Sequence, residues 1–299
     1  MYMFYFILGQ LMWGFLPAFW KLLSMLDPQY ILAVRILFAA VLGYVMLAAL
    51  GKLQALRTVC HEGRTLQQVF VASIFITLNW GLYILAVNTG HVFQASLAYF
   101  MNPIVCLALS GLFLKERLGH WQIASAVTAG AGMVLSLVLY GGIPLLTLAI
   151  CLTFTGYSLM KKQIVIDGDV SVFLESLYMT VPSAVYVLWA ESAGSGAAGV
   201  LHGWEWLLLP ATGVFTALPL IFFSAGIFGI SFASASVLMY LAPAIQLIMG
   251  FVYGEYLEPI LLINFAFILA SVVLFIIGTI RDARKVQAER KERLEKLGK

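Results

Sequence analysis

Charge is nearly absent from this chain before Arg281, and that absence limits its fold more than any other feature. Of 17 basic and 14 acidic side chains, twelve fall at or after Arg281, which leaves nineteen for everything before it. Apolar residues make up 62% of the chain, against roughly 45–50% in an average soluble protein. A water-soluble fold has too little polar surface to enclose so many apolar side chains, whereas a bilayer solvates them directly. At about 20 residues per span plus short connections, the stretch before Arg281 allows roughly nine to eleven transmembrane helices. A single-span anchor, a secreted domain and a nucleic-acid binder are excluded. The formal charge of +3 is uninformative, because the tail from Arg281 onward is itself basic.

Apolar runs bounded by charges, Gly, Pro and polar clusters give ten expected spans: 2–20, 28–50, 68–89, 93–114, 119–140, 143–160, 170–190, 205–226, 231–253 and 258–280. The first run lacks a basic leader and a small-residue cleavage signal, so it reads as a retained span. With the N-terminus inside, the inner connections hold Lys52, Arg57, Arg64, Lys115, Arg117, Lys161 and Lys162 as well as the basic tail. The outer connections hold only Lys21, and Arg35 falls within the second span. Basic residues favour the cytoplasmic face, so this sorting predicts ten spans with both termini cytoplasmic. The segment 281–299 mixes charges at i, i+4 spacing, as in Glu289 with Arg293, and reads as a solvated helical extension near anionic headgroups.

The chain also repeats itself. Ala95-Ser96-x3-Phe100-x2-Pro103 recurs, position for position, as Ala235-Ser236-x3-Tyr240-x2-Pro243. Downstream, Phe113-Leu114-Lys115-Glu116-Arg117-Leu118 parallels Val252-Tyr253-Gly254-Glu255-Tyr256-Leu257. The expected units are residues 1–140 and 141–280, five helices each. An odd number of spans forces the second unit to enter from the opposite face. Inverted repeats of this kind are a transporter signature, with the substrate held between the halves near the membrane midplane.

Trp13-Gly14-x-x-Pro17, the Arg35 span, Asn79-Trp80-x-x-Tyr83, Gln94-Ala95-Ser96-x-x-Tyr99-Phe100-x-Asn102-Pro103, Leu174-Glu175-Ser176-Leu177 and Tyr253-Gly254-Glu255 together resemble the RarD branch of the EamA family. That family sits in the drug/metabolite transporter superfamily. The resemblance covers nearly the whole chain before Arg281. It implies a ten-helix transporter of the bacterial inner membrane with two EamA-type halves. Members of the branch carry chloramphenicol-sensitivity labels, and relatives elsewhere in the superfamily export amino acids or drugs.

Arg35 and Glu175 are the clearest ionisable residues within spans, and the displacement that carries Ala95 onto Ala235 also carries position 35 onto position 175. An arginine at a helix centre costs about 2.5–3.5 kcal/mol on insertion scales, so it should face the bundle interior, a wet vestibule or a partner. Counted from the span ends, Arg35 lies about 10 Å and Glu175 about 8 Å deep from opposite faces. Each is either part of a substrate pathway or gate, or a structural tie between helices. A buried Glu175 is also a proton site, which makes protons the candidate coupling ion.

Asn79, Trp80, Tyr83, Gln94, Tyr99 and Asn102 form a second constellation. Asn79 and Tyr83 share a helix face, as do Gln94 and Asn102, and such faces either line a cavity or hydrogen-bond between helices. Tyr240 and Gln246 are the counterparts in the second half. Pro103 and Pro243 are expected hinges. His91, Glu116 and Glu255 read as turn residues, and Cys60, Cys106 and Cys151 as packing or loop residues, their spacing unlike a metal site. No cofactor is expected, and beyond the bilayer the expected partner is a small solute rather than a protein.

Two rival classes remain on the sequence. An intramembrane transferase needs clustered carboxylates or a nucleophile with a base, and only the lone Asp167-Gly168-Asp169 comes near that. A passive channel or facilitator shares the same bundle without coupling.

Overall fold

The computed structural model describes residues 1–88, 92–115, 119–141, 145–252, 259–260, 262–263, 266–278 and 280–281. Among the described residues there is no strand. The helices are α1 (Tyr2–Lys21), α2 (Pro28–Ala49), α3 (Leu53–Cys60), α4 (Gly63–Asn88), α5 (Val92–Leu112), α6 (His120–Tyr140) and α7 (Leu145–Gln163). They continue as α8 (Gly168–Ser192), α9 (Leu208–Phe228), α10 (Phe232–Leu238) and α11 (Leu241–Val252), then α12 (Ala266–Gly278).

Local chemistry sets many of these ends. The Asp27 carboxylate accepts from the Gln29 and Tyr30 amides at 2.7 and 3.3 Å, and Pro28 supplies a fixed φ at the first helical position of α2. Gly141 closes α6 in the left-handed region at φ 91°, which a side chain would strain. The Ser231 hydroxyl caps α10 by accepting from the Ser234 amide at 3.1 Å.

Six helical stretches among the described residues are long and apolar enough to cross a bilayer: α1, α2, α4, α6, α8 and α9, the last two counted with adjoining turns. Their outer faces fit lipid. Val127, Val134 and Val138 of α6 and Val181, Val185 and Leu188 of α8 are all exposed, a surface that water would penalise. The protein is thus an all-helical, multi-pass membrane protein. Helix α7 falls outside the set of six because Thr147, Thr155, Ser158 and Lys161 stand on it, and every one of these is buried in protein.

Helix pairing crosses the middle of the chain. Helix α1 packs on α9 and α11, α7 packs on α4 and α5, and α2 pairs with α8 and α9. Small residues permit these approaches. A Cβ on Gly226 of α9 would stand 2.5 Å from the Phe6 backbone nitrogen of α1, and one on Gly213 would stand 2.5 Å from the Phe38 carbonyl carbon of α2.

The two expected hinges differ. Helix α5 runs unbroken through Pro103. In the second half the helix stops at Met239–Tyr240, and Pro243 sits in the first turn of α11. A proline ring clashes with the carbonyl four residues back, here Met239, and the chain breaks there and restarts with proline in a tolerated position, whereas α5 accommodates the same clash at Pro103 without a break. The amphipathic helix α3 and two 3-10 turns, Ala197–Gly199 and Gly203–Leu207, have no counterpart in the span pattern. Asn88 ends α4, whereas His91, Glu116, Glu255 and the tail 282–299 lie outside the described residues.

Candidate functional site

A cavity of about 570 Å³ lies among α1, α2, α4, α5, α7, α9 and α11. Its rim is at the α1–α2 connection, where Ser24, Leu26 and Pro28 line it, and its floor reaches Gln10, Asn102 and Gln246. On α1 the lining residues Gln10, Trp13, Pro17 and Trp20 recur every three or four positions, which is one helical face. Below the cavity the aromatic rings close up. Trp13 meets Phe154 and Phe223 at centroid distances of 6.1 and 5.2 Å, and Phe223 stacks on Tyr157 at 6.0 Å.

Arg35 of α2 is the charged residue of this lining. Its guanidinium lies 4.0 Å from the Trp80 ring centroid and 5.6 Å from that of Trp20. Both rings offer the negative face of a quadrupole to the cation. Its Nε is buried without a hydrogen-bond partner. Tyr83 and Tyr99, with rings 5.6 Å apart, complete the wall beside it.

Asn79 ties three helices. Its Nδ2 donates to the Ile150 carbonyl at 2.8 Å and to Thr153 Oγ1 at 3.3 Å, and its Oδ1 accepts from the Tyr99 hydroxyl at 3.4 Å. Asn102 lines the cavity with a buried Oδ1 that has no partner. Gln246 donates from Nε2 to the Trp13 carbonyl at 3.0 Å. That carbonyl is available because Pro17, four residues on, has no N–H to offer it.

Of the residues singled out in the sequence, the cavity thus gathers Arg35, Asn79, Trp80, Tyr83, Tyr99, Asn102, Pro243 and Gln246. Tyr240 is buried outside it, among Phe100, Ala129 and Ile268, with an unpartnered hydroxyl. Pro103 is not part of the lining. Gln94 lies on α5, and its side chain falls outside the described residues. Lining residues that the sequence reading misses are Gln10, Trp13, Trp20 and Thr216; the three- and four-residue spacing on α1 is the available signal.

Glu175 stands apart from the cavity, paired with a residue that the sequence places among the cytoplasmic charges. Lys161 Nζ lies 2.6 Å from Glu175 Oε1, and the two side chains are 2% and 4% exposed. Ser171 and Tyr157 donate to the same carboxylate at 2.9 and 3.1 Å, and Lys161 also donates to Ser171 at 2.6 Å. The buried charges are therefore matched and hydrogen-bonded, the condition for keeping such a pair inside. Arg35 and Glu175 do not form an ion pair with each other.

The end of the bundle opposite the rim is pinned by charge. Lys52 reaches Asp167 and Asp169 at 2.9 and 2.8 Å, and the hydrogen bond to Asp169 foremost holds its ammonium above the ordinary lysine pKa. The Asp-Gly-Asp sequence thus grips a lysine. Lys162 donates to the Ile227 and Phe228 carbonyls at 3.2 and 3.1 Å, and also to that of Ile230, closing the C-terminal end of α9. At the rim end, the Tyr30 hydroxyl donates to Glu191, which also accepts from the Ala197 amide at 2.9 Å. Among the described residues no three His, Cys, Asp or Glu side chains are grouped to hold a metal ion. Cys106 and Cys151 are buried, and Cys60 is exposed.

Known proteins extend this picture. Residues 1–138 match the model of the EamA-like transporter family. An uncharacterized transporter of Bacillus subtilis (strain 168), YojE, is 38% identical over 92% of this chain and 93% of its own. Protein RarD of Streptomyces exfoliatus is 36% identical over 93% of this chain and 88% of its own. A protein of Pseudomonas aeruginosa named chloramphenicol-sensitive protein RarD is 26% identical over 87% and 88%. A chain of known crystal structure shares the fold, with a TM-score of 0.71 at 19% identity over 92% of this chain and 97% of that one. This chain belongs to the RarD branch of the EamA family, within the drug/metabolite transporter superfamily, and is a bacterial membrane transporter.

Proposed function

We propose that this chain is a secondary transporter of the bacterial inner membrane that exports a small organic metabolite, an amino acid-like compound or a drug by alternating access. The single observation that carries this reading is the 570 Å³ cavity, which both halves line and whose rim lies at one end of the bundle. A volume in the range of about 300–1,000 Å³ suits a small organic molecule.

Ten spans in two inverted halves, residues 1–140 and 141–280, account for the packing. Helix α2 starts at Pro28 and α8 at Gly168, α5 at Val92 and α10 at Phe232, and both pairs are displaced along the chain as Ala95 is from Ala235. Exchanging the halves also exchanges the partners: α1 on α9 and α11 becomes α7 on α4 and α5. Two near-equivalent packings of this kind are what alternating access requires. With both termini cytoplasmic, the rim faces outward, and the stacked aromatics, the Lys161–Glu175 pair and the Lys52 bridge form the closed inner side.

Reconstituted protein tests this. Liposomes loaded with chloramphenicol, a single amino acid or a small organic acid are assayed for uptake of the labelled compound, with and without an imposed proton gradient. Saturable uptake accelerated by the same compound on the far side is expected of a carrier. Flux that rises linearly with concentration and ignores the far side would mark a channel instead.

A further inference from the structure

We infer that the cavity selects an organic monoanion with an apolar body, a carboxylate carrying no ammonium group, over zwitterions and cations. The inference rests on the transport reading above, because it takes the cavity as the substrate site.

Among the described residues, the lining holds one formal charge, Arg35, and no Asp or Glu. That charge is not neutralised within the described residues. Glu175 is engaged by Lys161 at 2.6 Å, and Asp167 and Asp169 by Lys52. The contacts of the guanidinium are the Trp80 and Trp20 rings, and its Nε has no acceptor. Ring faces attract a cation but do not accept the in-plane hydrogen bonds of a guanidinium, so a carboxylate is the group that this fork lacks.

Two of the remaining polar groups can serve the same sign. The Gln10 amide nitrogen and the Thr216 hydroxyl, both on residues of the lining, are buried without partners and can donate. The Asn79 amide nitrogen is taken by Ile150 and Thr153. For an ammonium the lining offers neutral acceptors such as Asn102 Oδ1, in a space shared with an unneutralised arginine. Leaving water for such a site is unfavourable for a cation, and an amino acid carries that cost on its ammonium even as its carboxylate binds. The aromatic side chains Trp13, Trp20, Tyr83, Tyr99 and Phe154 provide the surface for an apolar, ring-bearing body.

Four compounds with the same body but different charge test the proposal: 3-phenylpropionate, phenylalanine, phenethylamine and 3-phenylpropanamide. Each is titrated calorimetrically into the purified full chain in detergent. 3-Phenylpropionate is expected to bind at least tenfold more tightly than the other three. Arg35→Gln should abolish that advantage, and Arg35→Lys should keep most of it. Asn102→Asp, which adds a carboxylate to the lining with little change of shape, should cut the advantage at least tenfold even if Arg35→Gln fails to fold. The proposal is overturned if phenylalanine or phenethylamine binds as tightly as 3-phenylpropionate, if none of the four binds, or if the order survives in a folded Arg35→Gln variant. Proteoliposome flux separates the two readings. The expected binding order without flux keeps the charge selectivity and removes the carrier, whereas flux with the wrong order removes only the selectivity.

Discussion

Two neighbouring lysines at the end of α7 show how one residue decides a role. Lys161 turns inward to the Glu175 carboxylate, while Lys162 closes α9 from outside the core. Removing one member of a buried pair strands the other charge, at a cost of about 3–5 kcal/mol. Glu175→Gln should therefore lower the thermal unfolding midpoint in detergent sharply, and the double change Lys161→Met with Glu175→Leu should recover most of the loss. A double variant as unstable as the single one would show that the pair does more than balance charge. Lys52 gives a pH prediction. Its folded pKa is raised, so the stability it adds is fully present below the ordinary lysine value of about 10.4 and disappears as pH rises through the raised value. Lys52→Met should thus differ from the parent equally at pH 7 and pH 9 and converge with it only in stronger alkali. Glu175 is visible in the sequence as an ionisable residue in an apolar run. Its partner is not, because a lysine pair at a helix end reads as solvated charge, and only the turn between α7 and α8 brings position 161 against 175. Arg35, by contrast, is legible as a charge that must face the bundle interior, and its place in the cavity lining is what the sequence leaves open against a tie between helices.

At the scale of elements, proline and glycine do what the apolar pattern cannot express. Pro17 leaves the Trp13 carbonyl without its helical donor, and Gln246 of α11 supplies one across the helix interface. Gln246→Leu should loosen α1 against α11 by roughly 1–3 kcal/mol, the cost of an unsatisfied buried acceptor, seen as faster hydrogen exchange in α11. Gly226 works by absence. A Cβ there would stand 2.5 Å from the Phe6 backbone nitrogen, so Gly226→Val must push α1 from α9 and should leave little folded protein after detergent extraction. The long helices are legible because each is an extended apolar run with a cap or turn at its end. The break between α10 and α11 is half legible, as a proline without the register of its clash. Helix α3 is not, since a segment as short as Leu53–Cys60 between charged neighbours carries too little pattern to separate helix from loop.

At the scale of the whole molecule, the proposed division into two halves sets equivalent positions in unequal surroundings. Leu32 lines the cavity, whereas Val172, at the same step of α8 as Leu32 of α2, is 1% exposed. If the halves exchange conformations, this asymmetry belongs to one state and reverses in the other. The rim of the cavity carries Ser24, and α3 at the other end carries the exposed Cys60. A membrane-impermeant maleimide should therefore label Ser24→Cys in intact cells once Cys60 is replaced by Ser, and should label native Cys60 only in inverted vesicles. Labelling of Cys60 from outside would overturn the orientation. In the resting protein Leu32→Cys should react from outside and Val172→Cys from neither side. A transported compound that draws the protein through its cycle should slow the first reaction and start the second from the inside, because closing one vestibule opens the other. Reactivity at both positions at once would sink alternating access and favour a continuous pore. Reactivity that never moves at either position would mean that the cavity binds its ligand in a molecule that does not turn over.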